Sequence, residues 1–252
     1  MLNRRHFLRA ALASGLVPAI GGAARAAKPA GHPVVVELFT SQGCSSCPPA
    51  DAFLGELSGR VDVITLGYHV DYWDYIGWPD PFADPLFTSR QRLYASALGN
   101  RTIYTPQMVL DGTLDQVGSR RFEVEAAIDR LLTANPADRI SVPITLSRLS
   151  DGSIGAALPT ADVPAGSTVL MAASTSRHVT EIRRGENAGW TLTNYDVVRR
   201  LAKVGDYSGR AVDWAIAPES FPKGTDRLAV WLQAAGNGPI MGAAKLDLPV
   251  VG

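Results

Sequence analysis

The hydrophobic pattern changes character along the chain, and the change falls near Asn135-Pro136. Upstream, Pro33 to Phe39 (PVVVELF) is β-branched and apolar on both faces, the pattern of a strand buried on both sides in an α/β sheet. Residues 48–57 put Phe53, Leu54 and Leu57 on one helical face, and Val61 to Val70 repeats the buried-strand pattern. Strand, helix and strand in close succession predict a right-handed βαβ unit. Asp71 to Asp84 (DYWDYIGWPDPFAD) fits neither period, and its aromatic density predicts an ordered, functional loop. Asp84-Pro85 supplies an N-cap and a first-turn proline for a helix reaching about Leu98. After Thr105-Pro106, the run QMVLDGTLDQV makes two short strands around the Asp111-Gly112 turn, and Ser119 caps a helix through about Leu132.

Downstream the chain becomes short alternating segments separated by turn residues. Strands are expected at 140–148, 153–158, 167–174, 178–183, 210–216, 227–235 and 240–247, whereas 194–204 fits a helix or a strand. So many short strands at this spacing predict a sandwich-like, β-rich domain. The expected organisation is a signal over 1–26, an α/β domain of order β-α-β-α-β-β-α over 27–134, and the β-rich domain over 135–252.

The signal rests on Asn3-Arg4-Arg5-His6-Phe7-Leu8-Arg9, a mildly apolar stretch from Ala10 to Ala24, and the small-x-small Ala24-Arg25-Ala26. It resembles a twin-arginine export signal, with an ordinary secretory signal as the alternative. Both readings lead to a periplasmic or secreted bacterial protein. The apolar core is too short, and too often broken by Gly and Pro, for a stable membrane span. Lys+Arg and Asp+Glu balance at 24 each, and losing Arg4, Arg5, Arg9 and Arg25 leaves a mature charge of −4. With no basic block, nucleic acid is excluded as a partner.

Two cysteines exclude a multi-disulfide framework, and an oxidising compartment lets a single pair persist as a disulfide. Cys44-Ser45-Ser46-Cys47 lies between a buried strand and a helix. A thiolate at a helix N-terminus is stabilised by free N–H groups and the positive end of the dipole. Pro48 and Pro49 fix where that helix begins, with Cys47 as N-cap and Cys44 just ahead of it on an exposed loop, positioned to attack. A purely structural disulfide is the plainer alternative, but so small a loop contributes only about 2 kcal/mol in the chain-entropy model. A third reading is a copper(I) site built from both thiolates and His69.

The C-x-x-C after the first core strand, together with Thr105-Pro106, resembles the thioredoxin-like fold. Within it, VELFTSQGCSSCPPAD, YHVDYWDYIGWPDPF, YTPQMVLDG and EIRRGENAGWTLTNYDVVR resemble a family of secreted bacterial thioredoxin-like proteins of unknown function. The resemblance implies that Pro106 is a cis-proline facing the cysteines and shaping, with Thr105, the groove for a mixed-disulfide partner. It also implies a buried acid near Glu37 that shuttles the resolving cysteine's proton, displaced here by one residue. On physical grounds alone, Glu37 is either used so or is a paired structural acid. His69 and Trp73 follow the second strand, at the end where α/β sheets bind ligands, and are expected to line the site. His69 reads as a base or a copper ligand, although a lone His at a strand end is more often a hydrogen-bonded structural residue. The charged turn of Glu181, Arg183, Arg184, Glu186 and Asn187 is either solvated or an interdomain contact.

These features predict a thiol-disulfide oxidoreductase with Cys44 as nucleophile and Cys47 as resolving thiol, needing no cofactor or metal, and acting on a thiol- or disulfide-bearing protein or small thiol. The rivals are a copper(I)-binding protein and a non-catalytic binding protein on a thioredoxin-like scaffold.

Overall fold

The computed structural model describes residues 31–135 and 137–249. The expected signal, residues 1–26, lies outside the described residues. Strand β1 (Val34–Thr40) is buried at every position, and α1 (Pro48–Ser58) returns the chain to β2 (Val63–His69), which pairs parallel to β1. The aromatic loop contains a 3₁₀ segment, Asp71–Ile76, and leads into α2 (Pro85–Leu98), where Asp84 caps the helix by accepting from Leu86 N at 2.8 Å. The hairpin of β3 (Gln107–Leu110) and β4 (Leu114–Val117) follows, with Asp111 and Gly112 both left-handed. Helix α3 (Arg121–Leu132) begins after Arg120, not at a Ser119 cap, and no side chain caps its first turn.

The later strands are β5 (Thr145–Arg148), β6 (Ile154–Leu158), β7 (Thr168–Glu181), β8 (Thr191–Asp206), β9 (Val212–Ile216), β10 (Arg227–Gln233) and β11 (Ile240–Asp247). Two segments expected as separate strands, 167–174 and 178–183, are the single strand β7. The polar interval from Ser174 is a bulge against β8, a register shift at Ala173/Ser174 that bends the strand without ending it. The ambiguous stretch 194–204 lies within strand β8.

The result is a mixed, sheet-dominated α/β fold. One eight-stranded sheet has the order β11-β10-β7-β8-β2-β1-β3-β4, and β5-β6-β9 form a small second sheet. The β-rich part was expected to be a sandwich of its own, but only the small sheet is separate. Four of its strands extend the first sheet, and the small sheet packs on them through Val169, Met171, Leu228, Val230, Ile154, Ala156 and Ile216. On the remainder of the large sheet, α1 and α3 cover Val34, Val36 and Leu38, while α2 covers the opposite face through Phe87 and Tyr94 on Phe39 and Tyr68. Among the described residues no helix is long and apolar enough to cross a membrane.

Strand β8 joins the two parts by pairing parallel to β2 at Gly67↔Val197. The approach is close: a Cβ on Gly67 would lie 2.9 Å from Tyr195 O, and one on Gly55 of α1 would lie 2.5 Å from the Tyr195 ring. Asp196, left-handed at φ 45°, accepts from Thr65 of β2 and, at 2.5 Å, from Arg227 of β10. Opposite this joint, Glu37 and Arg90 form a fully buried pair, with Arg90 Nε donating to Oε1 at 2.7 Å and Nη2 to Oε2 at 3.0 Å. Tyr94 also donates to Glu37, and Gln233 Oε1 accepts from Arg90 Nη2 at 3.0 Å. Gly67→Ala is expected to force β8 away from β2 and to lower stability by about 1–3 kcal/mol, as overpacking does; urea unfolding of the variant checks this.

Candidate functional site

Cys47 is the N-cap of α1 and Pro48 and Pro49 are its first two residues, as their restricted backbones favour. The cap has helical angles, so Cys47 O accepts from Ala50 N at 2.9 Å and Asp51 N at 3.1 Å. Ahead of it, Cys44 N donates to Ser41 O at 3.1 Å and Cys47 N to Cys44 O at 3.2 Å, a tight loop that brings Cys44 and Cys47 into a disulfide. Cys44 was expected on an exposed loop. Instead Cys44 is 1% and Cys47 0% exposed, and only Ser45 and Ser46 between them face solvent.

Three groups pack around the cysteine loop. The Thr105–Pro106 bond is cis, and Thr105 Oγ1 donates to Cys44 Sγ at 3.3 Å. Trp73 Nε1 donates in turn to Thr105 Oγ1 at 2.7 Å, and its backbone packs against Gly43. From the far part of the chain, Asn187 Nδ2 donates to Gln42 O at 2.9 Å and Cys44 O at 3.1 Å. Asn187 thus makes the charged turn a contact with the cysteine loop, while Arg183, Arg184 and Glu186 point outward.

Beneath the loop lies a buried polar cluster. Gln42 is wholly enclosed: its Nε2 donates to Thr180 Oγ1 and Asn194 Oδ1, each at 2.9 Å, and its Oε1 accepts from Trp78 Nε1 at 3.1 Å. Its backbone N–H donates at 2.7 Å to Asp80 Oδ2, the oxygen that also faces His69 Nδ1 at 2.6 Å. Asp51, one helical turn past Cys47, accepts from Thr40 Oγ1 at 3.2 Å. Among the described residues the buried Nδ2 of Asn194 meets no hydrogen-bond partner.

The charges of this cluster are interdependent. Burial pushes the Asp51 carboxyl up to about 7, and the neighbouring His69 and the Thr40 hydroxyl keep it from rising further. Burial alone would lower His69, but Asp80 facing it, with help from Asp51, holds it above the ordinary imidazole value. Burial would likewise raise Asp80, but His69 and the N–H groups of Gln42 and Phe82 bring it below the usual carboxylate range. The cluster therefore favours a proton on His69 facing an ionised Asp80, with beside it a carboxyl that burial pushes up to about 7.

The structure brings Cys44, Cys47, Thr105, Pro106 and Trp73 together and links His69 to the cysteine loop through Asp80 and Gln42. Glu37 is not among them. Alternation along β1 sends Glu37 to the α2 face, where Arg90 pairs it, whereas Thr40 and α1 lie on the other. Its cost of burial is met by that pair. Asp51, Gln42, Asp80 and Asn194 were not singled out in the sequence. The four-residue step from Cys47 could have flagged Asp51; the others require the tertiary register. Among the described residues no group of three or more His, Cys, Asp or Glu is placed to hold a metal ion.

This disulfide-bearing mixed α/β architecture corresponds to a known grouping. Residues 35–233 match the family described as "Protein of unknown function (DUF1223)", and the chain belongs to that family. It is similar to the crystal structure of protein AGR_C_4864 from Agrobacterium tumefaciens, a structural-genomics target, at 30% identity and a TM-score of 0.74, covering 86% of this chain and 94% of that one. It is also similar in fold to HBP35 of Porphyromonas gingivalis, at 13% identity and a TM-score of 0.51, covering 86% of this chain and 76% of that one. No curated protein matches the chain.

The raised Asp51 value has a stability signature. Because the fold favours the protonated acid, its contribution is fully present below the unfolded value of 3.8 and is lost as pH rises toward 7. Asp51→Asn is therefore expected to match the parent near pH 4 and to be more stable by about 2–4 kcal/mol above pH 7; urea unfolding across that range measures the difference.

Proposed function

We propose that this protein is an exported, thioredoxin-like thiol-disulfide oxidoreductase working through Cys44 and Cys47. The observation that carries the reading is the seating of the disulfide at the start of α1 with the Thr105 hydroxyl on Cys44 Sγ. The order β2-β1-β3-β4, with α1 and α3 on one face and α2 on the other, is the arrangement expected of a thioredoxin-like unit. A disulfide closing so small a loop adds little stability, which supports use in exchange over a structural staple.

In the oxidising direction, a partner thiolate attacks Cys44 Sγ, forming a mixed disulfide and releasing Cys47 as a thiolate. Pro48 and Pro49 offer no N–H there, so it is the positive end of the α1 dipole that favours that anion. A second partner thiolate then attacks the partner's own sulfur, leaving a partner disulfide and a Cys44 thiolate. The two electrons lost by the partner are those gained by the Cys44–Cys47 pair. Asp51 supplies a carboxyl able to carry a proton to or from the Cys47 end at neutral pH. In the reducing direction every step reverses.

The test is the equilibrium reduction potential of the pair in the mature protein, with free thiols trapped across a dithiol buffer series and metal excluded. A value between about −120 and −270 mV, the span of known exchange proteins, is expected. A value below about −300 mV marks a disulfide too stable to cycle and overturns the reading.

A further inference from the structure

The Cys44–Cys47 disulfide is enclosed, and the loop that carries it is tied to a turn encoded some 140 residues away. Thiol-disulfide exchange needs a thiolate to reach one sulfur, so its rate depends on access as well as on chemistry. Thr105 and Trp73 belong to the same unit as the cysteines. The turn between β7 and β8, Ile182 to Trp190, is an addition from the other end of the sheet.

This turn is a self-contained structure. Ile182 N donates to Trp190 O at 2.9 Å, Gly189 N to Ile182 O at 2.8 Å and Trp190 N to Asn187 O at 3.1 Å, and Gly185 and Gly189 are left-handed. It touches the cysteine loop through the two hydrogen bonds of the Asn187 side chain and rests on Trp78 and Ile76 at Gly185. Its outer side carries Arg183, Arg184, Glu186 and Trp190, with Trp190 62% exposed, and Tyr75 of the neighbouring loop is 81% exposed. Exposed aromatics with arginines are the residue types that anchor polypeptide interfaces.

We propose that Asn187 is a specificity-determining latch: it holds the β7–β8 turn over Cys44, shuts out small thiols, and yields to a polypeptide partner that engages the exposed side of the turn. The proposal rests on the oxidoreductase reading for its biological sense, but its physical claim is separate. A small thiol brings no binding energy to displace the turn. A polypeptide docking on Trp190, Tyr75 and the arginines does, and its backbone N–H groups can satisfy the carbonyls of Gln42 and Cys44 that Asn187 releases.

The experiment follows reduction of the oxidised mature chain by excess dithiothreitol, quenching free thiols against time, and the reverse oxidation by cyclic dithiothreitol. Reduction converts the dithiol to its cyclic disulfide and Cys44–Cys47 to two thiols, so both directions balance. Asn187→Ala removes two hydrogen bonds, each worth roughly a factor of five, and is expected to raise both rates about 10- to 30-fold. The equilibrium constant with dithiothreitol is expected to stay within about threefold, which separates a gate from a weakened disulfide. In a second variant Ile182–Trp190 is replaced by Asn-Gly, a two-residue turn suited to the paired Glu181 and Thr191. It is expected to react at least as fast as Asn187→Ala, and it keeps the test decisive if that variant does not fold.

Rates within twofold of the parent in both variants overturn the latch, as does a change confined to the equilibrium constant. Failure of both variants to fold, judged by circular dichroism, makes the turn a structural pillar and also overturns it. The oxidoreductase reading depends on the potential of the parent pair and the latch on rate ratios, so either can fail alone.

Discussion

The close approach of β8 to β2 at Gly67 is the constraint on which the rest of the molecule depends. Without a side chain at that position the Tyr195 carbonyl comes near enough for Val197 to pair with Gly67, and one sheet continues through the junction. Asp196 fastens the junction from above by accepting from Thr65 and Arg227. The seating of the cysteine loop follows. β8 delivers Asn194 beside Gln42, its partner β7 delivers Thr180, and the turn between them delivers Asn187. None of these contacts survives if the two strands are displaced.

Buried charge is handled in two ways on the two faces of the sheet. On the α2 face Glu37 meets a bidentate guanidinium, a tyrosine hydroxyl and the aromatic rings around Arg90, and every charge there has a partner. Such a pair is strongly destabilising to break and does little else. On the α1 face three ionisable groups share one enclosure with a single cationic partner among them, so one acid is left near the midpoint of its titration at neutral pH. Acids perturbed in this way are concentrated at functional sites, and they also occur in structural networks.

Much of this was legible in the sequence. β1 reads clearly because every residue from Val34 to Thr40 is buried and the run is β-branched, and α2 because Asp84-Pro85 is a strong start signal. β11 was anticipated at its observed bounds, Ile240–Asp247. The role of Cys47 as N-cap follows from the two prolines after it. Continuity of the sheet was not legible, since periodicity tells that a segment is a strand and not which strand it meets. The same limit hid Gln42, Asp80 and Asn194, whose partners are set by register across the junction. For Glu37 the sequence left a proton-shuttling acid and a paired structural acid open, and the pair with Arg90 matches the second, because proximity along the chain to Cys44 does not say which face of the strand a side chain takes.

The order of the strands also bears on how the chain reaches this state. β2 is buried at every position, yet its outer edge is covered by β8, which is separated from it by more than a hundred residues. Until synthesis passes about residue 200, the first part of the chain presents an apolar strand with an open hydrogen-bonding edge, the kind of surface that invites pairing with another molecule. The last strands to emerge are therefore the ones that make the first strands safe, and a truncated chain ending near residue 134 would be prone to aggregate and would not be a smaller version of the protein.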